Sequence, residues 1–280
     1  MQSQFSRAYG FVKRYLYAAG ASLYLFTVGW LSGRNRIFVA IIAQHFGYGS
    51  VPRKLPEVPL EKVAPQEAAV QLLQVAPKDG NVSPLELSVL ANLVKLHRPR
   101  AVFEFGTFDG RTTLNLAANS DPETTVYTLD LPKSAIDQAS LALEHHDLKY
   151  IDKEKAGSRY AETSYAAKIV QLYGDSATYD FTPYRKQIDM VFVDASHSYE
   201  YVLSDSANAM QLIRDDGGII VWHDYGMWDG VTRALNELLL TKPGFERLEV
   251  IEGTTLACLF VNKAVPAIHR AGAELRSRAS

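Results

Sequence analysis

Cysteine is almost absent: Cys258 is the only one in 280 residues, which excludes an intrachain disulfide framework and any multi-cysteine zinc site and fits a reducing compartment. The apolar run around it, 256–261, marks a buried, inert thiol. The dinucleotide fingerprint G-x-G-x-x-G is missing, and no lysine follows the main glycine turn as it would in a P-loop. Acidic residues are missing from the first 56 positions, where Arg7, Lys13, Arg14, Arg34, Arg36, Arg53 and Lys54 give a charge of +7. The remaining 22 basic residues face 31 acids, so the rest of the chain carries −9. A core of that charge excludes nucleic acid as a partner, because phosphate contacts need a basic surface.

A clean hydrophobic run is missing too. Residues 15–33 are nineteen uncharged positions between basic flanks, long enough for a bilayer, yet Gly20, Ser22, Thr27 and Gly29 dilute them. No small-x-small site follows for a signal peptidase, and a second apolar stretch, 37–46, comes too soon for a clear loop. Three readings of this extension stand: helices that pack on the core or on a second subunit in a homodimer, an interfacial membrane-binding arm, or a true span.

What is present reads as a globular enzyme-sized chain, with 47% hydrophobic and 21% charged residues. The expected organisation is a basic apolar extension over 1–56, a linker and entry segment over 57–82, a core over 83–262 and a tail over 263–280. Prolines 52, 56, 59 and 65 make 51–66 an extended linker. Ser83-Pro84-Leu85-Glu86 is a capping box and predicts a helix over 84–96 that ends before Pro99. Strands are predicted over 101–105, 125–129, 168–172, 188–193 and 218–222, alternating with helices over 112–118, 133–145, 199–213 and 231–240. Near-continuous apolar strands in β-α units imply a parallel sheet covered on both faces, with ligands at the strands' carboxyl ends. Two last strands, 247–251 and 256–261, are separated by four residues, so they form an antiparallel hairpin. The fold class is α/β: a Rossmann-like, seven-stranded, mostly parallel sheet.

Glu104, Gly106, Thr107 and Gly110 lie in an E-x-G-x-x-x-G turn after the first strand, where glycines let a ligand approach the backbone. This turn resembles the first motif of class I S-adenosylmethionine-dependent methyltransferases. The resemblance implies that the glycines pack on the cofactor's methionine part and that an acid reads its amino group. Asp130 ends the second strand twenty-four residues beyond Gly106, the position of an acid that binds both ribose hydroxyls. Asp175 and Ser176 follow the third strand and are candidates for the adenine amino group, or form a turn that needs no ligand.

Asp194 ends the fourth strand and His223 and Asp224 end the fifth, so the three are candidates to meet at one divalent cation; oxygens favour magnesium or calcium, and a histidine admits manganese or another transition metal. These segments resemble the small-molecule O-methyltransferases of the catechol O-methyltransferase-like and macrocin O-methyltransferase-like groups, over about residues 83–262. The resemblance implies cofactor and metal contacts for Asp194. It also implies a basic catalytic residue three positions later, His197, suited to general-base work near neutral pH. His223-Asp224 departs from the families' Asp-Asn or Asp-Asp pair. Asp194 as a helix cap, His197 as a surface residue and His223 as a core histidine are the plainer alternatives. Tyr199, Tyr201, Trp222, Tyr225 and Trp228 are candidates for pocket walls or plain core. Residues 131–168 exceed a simple crossover and suit a lid or a passive loop. The expected function is O-methylation of a small molecule, sugar or lipid-linked glycan, in the cytoplasm or at its membrane face. A Rossmann-like binding or scaffolding protein without catalysis, and a dehydrogenase, are the rival readings.

Overall fold

In a computed structural model, the described residues are 2–33, 35, 36, 38, 39, 42, 51–63 and 69–262, and the chain divides into two compact units, 1–50 and 51–280. The expected tail, 263–280, lies outside the described residues, as does most of the stretch 37–46.

The first unit is built on α1 (Gln2–Thr27), which ends where Thr27 Oγ1 donates back to the Leu23 carbonyl and a 3-10 turn, Gly29–Leu31, follows. A side chain on Gly29 would strike the Tyr24 ring at 2.9 Å, so the glycine lets the turn fold against the helix. Along α1, Phe11, Val12, Tyr15, Leu16, Tyr17, Leu23, Tyr24 and Phe26 are exposed. Their spacing gathers six of them on one side, while Tyr17 and Tyr24 share the side of Lys13 and Arg14. No helix among the described residues is long and apolar enough to cross a membrane.

The second unit is a three-layer α/β fold. Its strands are β1 (Glu57–Val58), β2 (Ala101–Phe105), β3 (Thr125–Asp130), β4 (Ile169–Tyr173), β5 (Met190–Val193), β6 (Gly218–Trp222), β7 (Glu249–Ile251) and β8 (Ala257–Val261). They run in the order β1-β7-β8-β6-β5-β2-β3-β4, and only β8 is antiparallel to its neighbours. Alternate residues feed two cores, because successive side chains of a strand point to opposite faces. Phe103, Val191 and Ile220 pack on one side; Val102, Phe192 and Val221 pack on the other. The first core takes the apolar sides of α4 (Tyr199–Leu212) and α5 (Asp229–Thr241); the second takes those of α2 (Pro84–His97) and α3 (Arg111–Asn119). The capping box on α2 is formed, and the buried Cys258 is a free thiol.

Three expectations change. Among the described residues the sheet has eight strands rather than seven, since β1 adds a parallel edge to β7, with Val250 N–H donating to Pro56 O and Glu252 N–H to Val58 O. Residues 51–58 are extended but docked: Tyr225 Oη accepts from Lys54 and Leu55 N–H at 2.7 and 2.9 Å, and Asn236 holds Pro52 O. Their bonding is that of an edge strand, invisible to a reading that saw only prolines. Helix 133–145 is reduced to a 3-10 segment, Lys133–Gln138, with no buried residue. Without an apolar face on the sheet the helix has nothing to hold it, and Ser140 N–H turns to Asp175 Oδ2 at 2.6 Å.

Candidate active site

Two adjoining cavities lie at the carboxyl ends of the parallel strands. The first, about 90 Å³, is lined by Asp130, Asp175, Ser176 and Tyr201; the second, about 270 Å³, by Asp109, His197, His223, Asp224 and Trp228. Gly106, Phe108, Tyr150, Asp194 and Ala195 line both. Each is smaller than the roughly 300 Å³ of an ordinary ligand pocket, so a ligand of normal size spans the two across Gly106. A Cβ at Gly106 would lie 2.0 Å from the Asp194 carbonyl oxygen, and its φ of +87° suits glycine alone.

At the smaller end, Asp130 Oδ1 accepts from the backbone N–H of Thr107 and Phe108, at 3.1 and 3.2 Å, while Oδ2 pairs with Lys153 at 2.7 Å. Asp175 accepts from Ala177 N–H, Ser140 N–H and the Tyr201 hydroxyl; burial alone would raise its pKa, but these donors hold it below the usual carboxylate range. Ser176 lines the same cavity and its hydroxyl faces Asp205, a fully buried acid that burial pushes up to about 7.

Not every residue of the glycine turn reaches a cavity. Glu104 is 1% exposed and is occupied by the hydroxyls of Thr113 and Thr128; burial pushes its carboxyl up to about 8 against those bonds. It lines neither cavity, so it is a structural acid beneath the turn, not one positioned to read an amino group directly. Gly110 also lines neither; a Cβ there would meet Tyr160 at 2.6 Å, and the glycine serves close packing under residues 157–160. Thr107 lines the larger cavity and its hydroxyl shares a proton with Thr128 at 2.7 Å.

At the larger end, carboxylates alternate with imidazoles. His223 Nδ1 lies 3.0 Å from Asp194 Oδ1 and 3.1 Å from Asp224 Oδ2, and Nε2 lies 3.4 Å from Glu86 Oε2. His197 Nε2 lies 2.9 Å from Asp224 Oδ2, and Nδ1 makes a short contact with Asp147. Burial disfavours a charged ring, yet Asp147 and Asp224 push His197 up to about 9. His223 is raised as well, with burial opposed by Asp194 and Asp224. The plainer alternatives recede: α4 is capped by Ser198 and not by Asp194, His197 is 11% exposed, and His223 contacts carboxylates rather than a carbonyl. Trp228 stacks on His146 at 4.0 Å beside His197. Of the other aromatics, Tyr201 reaches the smaller cavity, while Trp222 and Tyr225 are core.

Sequence reasoning missed Asp147, Glu86, Lys153 and Arg159. Asp147 is 3% exposed, accepts from Ser196 Oγ and His197 N–H, and lies in the 131–168 insertion, fifty residues from its partner. Lys153 meets Asp130 and Arg159 meets Asp109 from the same insertion. Glu86 was legible only as a cap. No local spacing announces such long-range pairs.

The donors at Asp194, His223 and Asp224 fit a divalent cation. Neighbouring ligands on an octahedron with metal–ligand lengths near 2.1 Å stand about 3 Å apart, as His223 Nδ1 does from Asp194 Oδ1 and Asp224 Oδ2, and all the ligand atoms lie within 4.8 Å of one another. Among the described residues His146, Asp147 and His197 form the other such cluster.

No curated protein matches the chain in sequence. Solved structures similar to it include the O-methyltransferase TomG of Streptomyces achromogenes, involved in tomaymycin synthesis and in complex with SAM, at 19% identity over 69% of this chain and 93% of that one, with a TM-score of 0.47. An O-methyltransferase of Bacillus cereus in complex with SAH shares 20% identity over 80% and 97%, at a TM-score of 0.45, and the SAH-bound methyltransferase PaMTH1 of Podospora anserina 16% over 66% and 81%, at 0.48. Residues 103–225, from β2 through the Asp224 turn, match the family described as a methyltransferase domain. With its one reversed strand and the glycine turn beneath the double cavity, the parallel sheet has the Rossmann-like methyltransferase fold, and the stretch that carries the turn and the strand-end acids is the one similar to that family.

Proposed function

We propose that the protein transfers a methyl group from S-adenosylmethionine to a hydroxyl of a small molecule or glycan, with His197 as the base. The observation that carries this reading is the buried Asp147–His197 pair, whose aspartate lines the smaller cavity and whose imidazole lines the larger, beside Gly106 where the two join. In this reading the adenosine lies in the smaller cavity, with the ribose hydroxyls at Asp130 and the adenine amino group near Asp175 and Ser176. The methionine part crosses Gly106 toward Thr107. S-adenosylmethionine, when bound, supplies a methyl group on a sulfonium centre, so the acceptor oxygen must be aligned with it and lose its proton. Nδ1–H of His197 stays with Asp147, which fixes the ring; because the ring is pushed up to about 9, Nε2 takes the proton from the acceptor hydroxyl only in the fraction of molecules whose Nε2 proton, held toward Asp224 at 2.9 Å, has left. Asp194, His223 and Asp224 would hold a divalent cation, whose chemistry is to lower the pKa of a bound hydroxyl.

The walls narrow the acceptor. Asp79, Asp109, Asp194 and Asp224 line the larger cavity together with Arg111, His197 and His223, with Asp79 paired to Lys149 and Asp109 to Arg159, and Trp228, Tyr150 and Phe108 give it flat apolar surfaces. A ring bearing hydroxyls fits these walls. The exposed apolar residues of α1 beside Lys13 and Arg14 support peripheral contact with an anionic membrane surface, where a lipid-linked acceptor would be met. Comparing the full chain with one starting at Val51, which keeps the docked segment 51–58, tests this: binding to anionic vesicles must be lost with the first fifty residues, and equal binding removes the proposal. A concentration-dependent dimer lost by the same truncation favours subunit packing instead.

Calorimetric titration with S-adenosylmethionine and, separately, NAD tests the class. Selective binding of S-adenosylmethionine is expected; a folded protein that binds neither is a scaffold.

A further inference from the structure

Glu86 is the third helical residue of the α2 capping box, and a cap alone would use one of its oxygens. Its Oε2 accepts from Ser83 N–H at 2.8 Å, but Oε1 accepts from Thr255 N–H and Oγ1 at 2.9 and 2.7 Å, and Oε2 also faces His223 Nε2 at 3.4 Å. The side chain is 5% exposed and pinned from α2 and from the β7–β8 hairpin. An anchored carboxylate behind one imidazole nitrogen fixes the tautomer, because Nε2 must carry the proton it donates. With Nε2–H held there, the proton that Nδ1 turns toward Asp194 and Asp224 is the one a cation would replace, which would leave the Nδ1 lone pair directed at the space between them.

We infer that Glu86 sets His223 as a nitrogen ligand and so makes this a site for a first-row transition cation such as Mn²⁺, rather than for Mg²⁺. The inference rests on the cation reading of Asp194, His223 and Asp224 proposed above. An imidazole in place of a carboxylate removes a negative oxygen, which Mg²⁺ favours, and adds a softer donor that transition ions prefer. Outer-sphere partners of this kind typically change metal affinity by about 10–100-fold.

The test is direct binding to the full-length protein saturated with S-adenosylmethionine, with no turnover. Mn²⁺ should bind at least about tenfold more tightly than Mg²⁺, and pulsed electron paramagnetic resonance of the Mn²⁺-loaded protein should show ¹⁴N coupling from a directly bound imidazole. His223→Asn should abolish the coupling and shrink the Mn²⁺ preference. Glu86→Gln replaces the charge behind Nε2 and puts an amide NH2 where one of two backbone N–H groups, of Ser83 or Thr255, now donates, so it loosens the anchor of the ring and should weaken Mn²⁺ by about 10–100-fold while S-adenosylmethionine affinity holds. Should the glutamine variant fail to fold, the asparagine variant decides alone. Mn²⁺ bound without nitrogen coupling, or an unchanged preference in His223→Asn, overturns the inference and leaves the cation site standing. No binding of either cation overturns both, and S-adenosylmethionine binding reports the methyltransferase reading separately.

Discussion

The two ends of the cleft solve the burial of acids differently. At the smaller cavity Asp130 and Asp175 are held by backbone N–H groups, a lysine and a tyrosine, donors of the kind a ribose or an adenine amino group can replace or join. At the larger cavity Asp194, Asp224 and Asp147 face imidazoles, groups that can lose a proton. One end is built to recognise, the other to exchange protons, and the same insertion serves both: Lys153 and Asp147 line the first, and Asp147 holds His197 of the second.

Removing the imidazole should separate the ends most sharply. His197→Ala is expected to lower turnover by about 10²–10⁴-fold, the usual contribution of general-base catalysis, with S-adenosylmethionine affinity unchanged. Single-turnover rates and calorimetry on the same sample check both halves, and retained activity takes His197 out of the mechanism. Asp130→Asn should do the reverse. Loss of a charged acceptor costs about 1.5–3 kcal/mol, so cofactor affinity should fall roughly 10–100-fold while the rate at saturation moves little. A variant that binds as well as the parent would place the ribose elsewhere.

How legible each end was follows from the same difference. The strand ends were readable because apolar strands and turn glycines have local signatures, so Gly106, Asp130, Asp175, Asp194, His197, His223 and Asp224 all fell at the carboxyl edge of the sheet as expected. Glu104 has the same local signature yet turns inward, since the hydroxyls of Thr113 and Thr128 lie on elements that only the fold brings near. The partners of the imidazoles were hidden for the same reason: Asp147 and Glu86 sit 50 and 137 residues from their histidines. The 133–145 helix was read from helical spacing, and it failed because its apolar residues found no face of the sheet.

Lys153 offers a finer cut between recognition and shielding. It neutralises Asp130 in the free protein, where the pair is largely buried, and a ribose must share that carboxylate or displace the ammonium. Lys153→Met should therefore tighten S-adenosylmethionine binding, because the ribose hydroxyls then meet a buried carboxylate that no ammonium compensates. Weaker binding in calorimetry would instead make Lys153 a cofactor contact, and the insertion a recognising element at both ends.

The smallest effect concerns acids that belong to neither end. Burial raises Glu104 to about 8 and Asp205 to about 7, so the folded protein holds both protons at pH values where an unfolded chain has released them. Their contribution to stability is full below the ordinary carboxyl pKa and is lost as pH rises through about 7 and 8. Glu104→Gln keeps the shape and a hydrogen-bonding oxygen for Thr113 and Thr128 but cannot ionise. Thermal unfolding between pH 5 and 8.5 should then show a shallower decline in the variant than in the parent. An identical slope would mean that the carboxylate is ionised inside the fold, and that the charge beneath the glycine turn is part of the cofactor site's field after all.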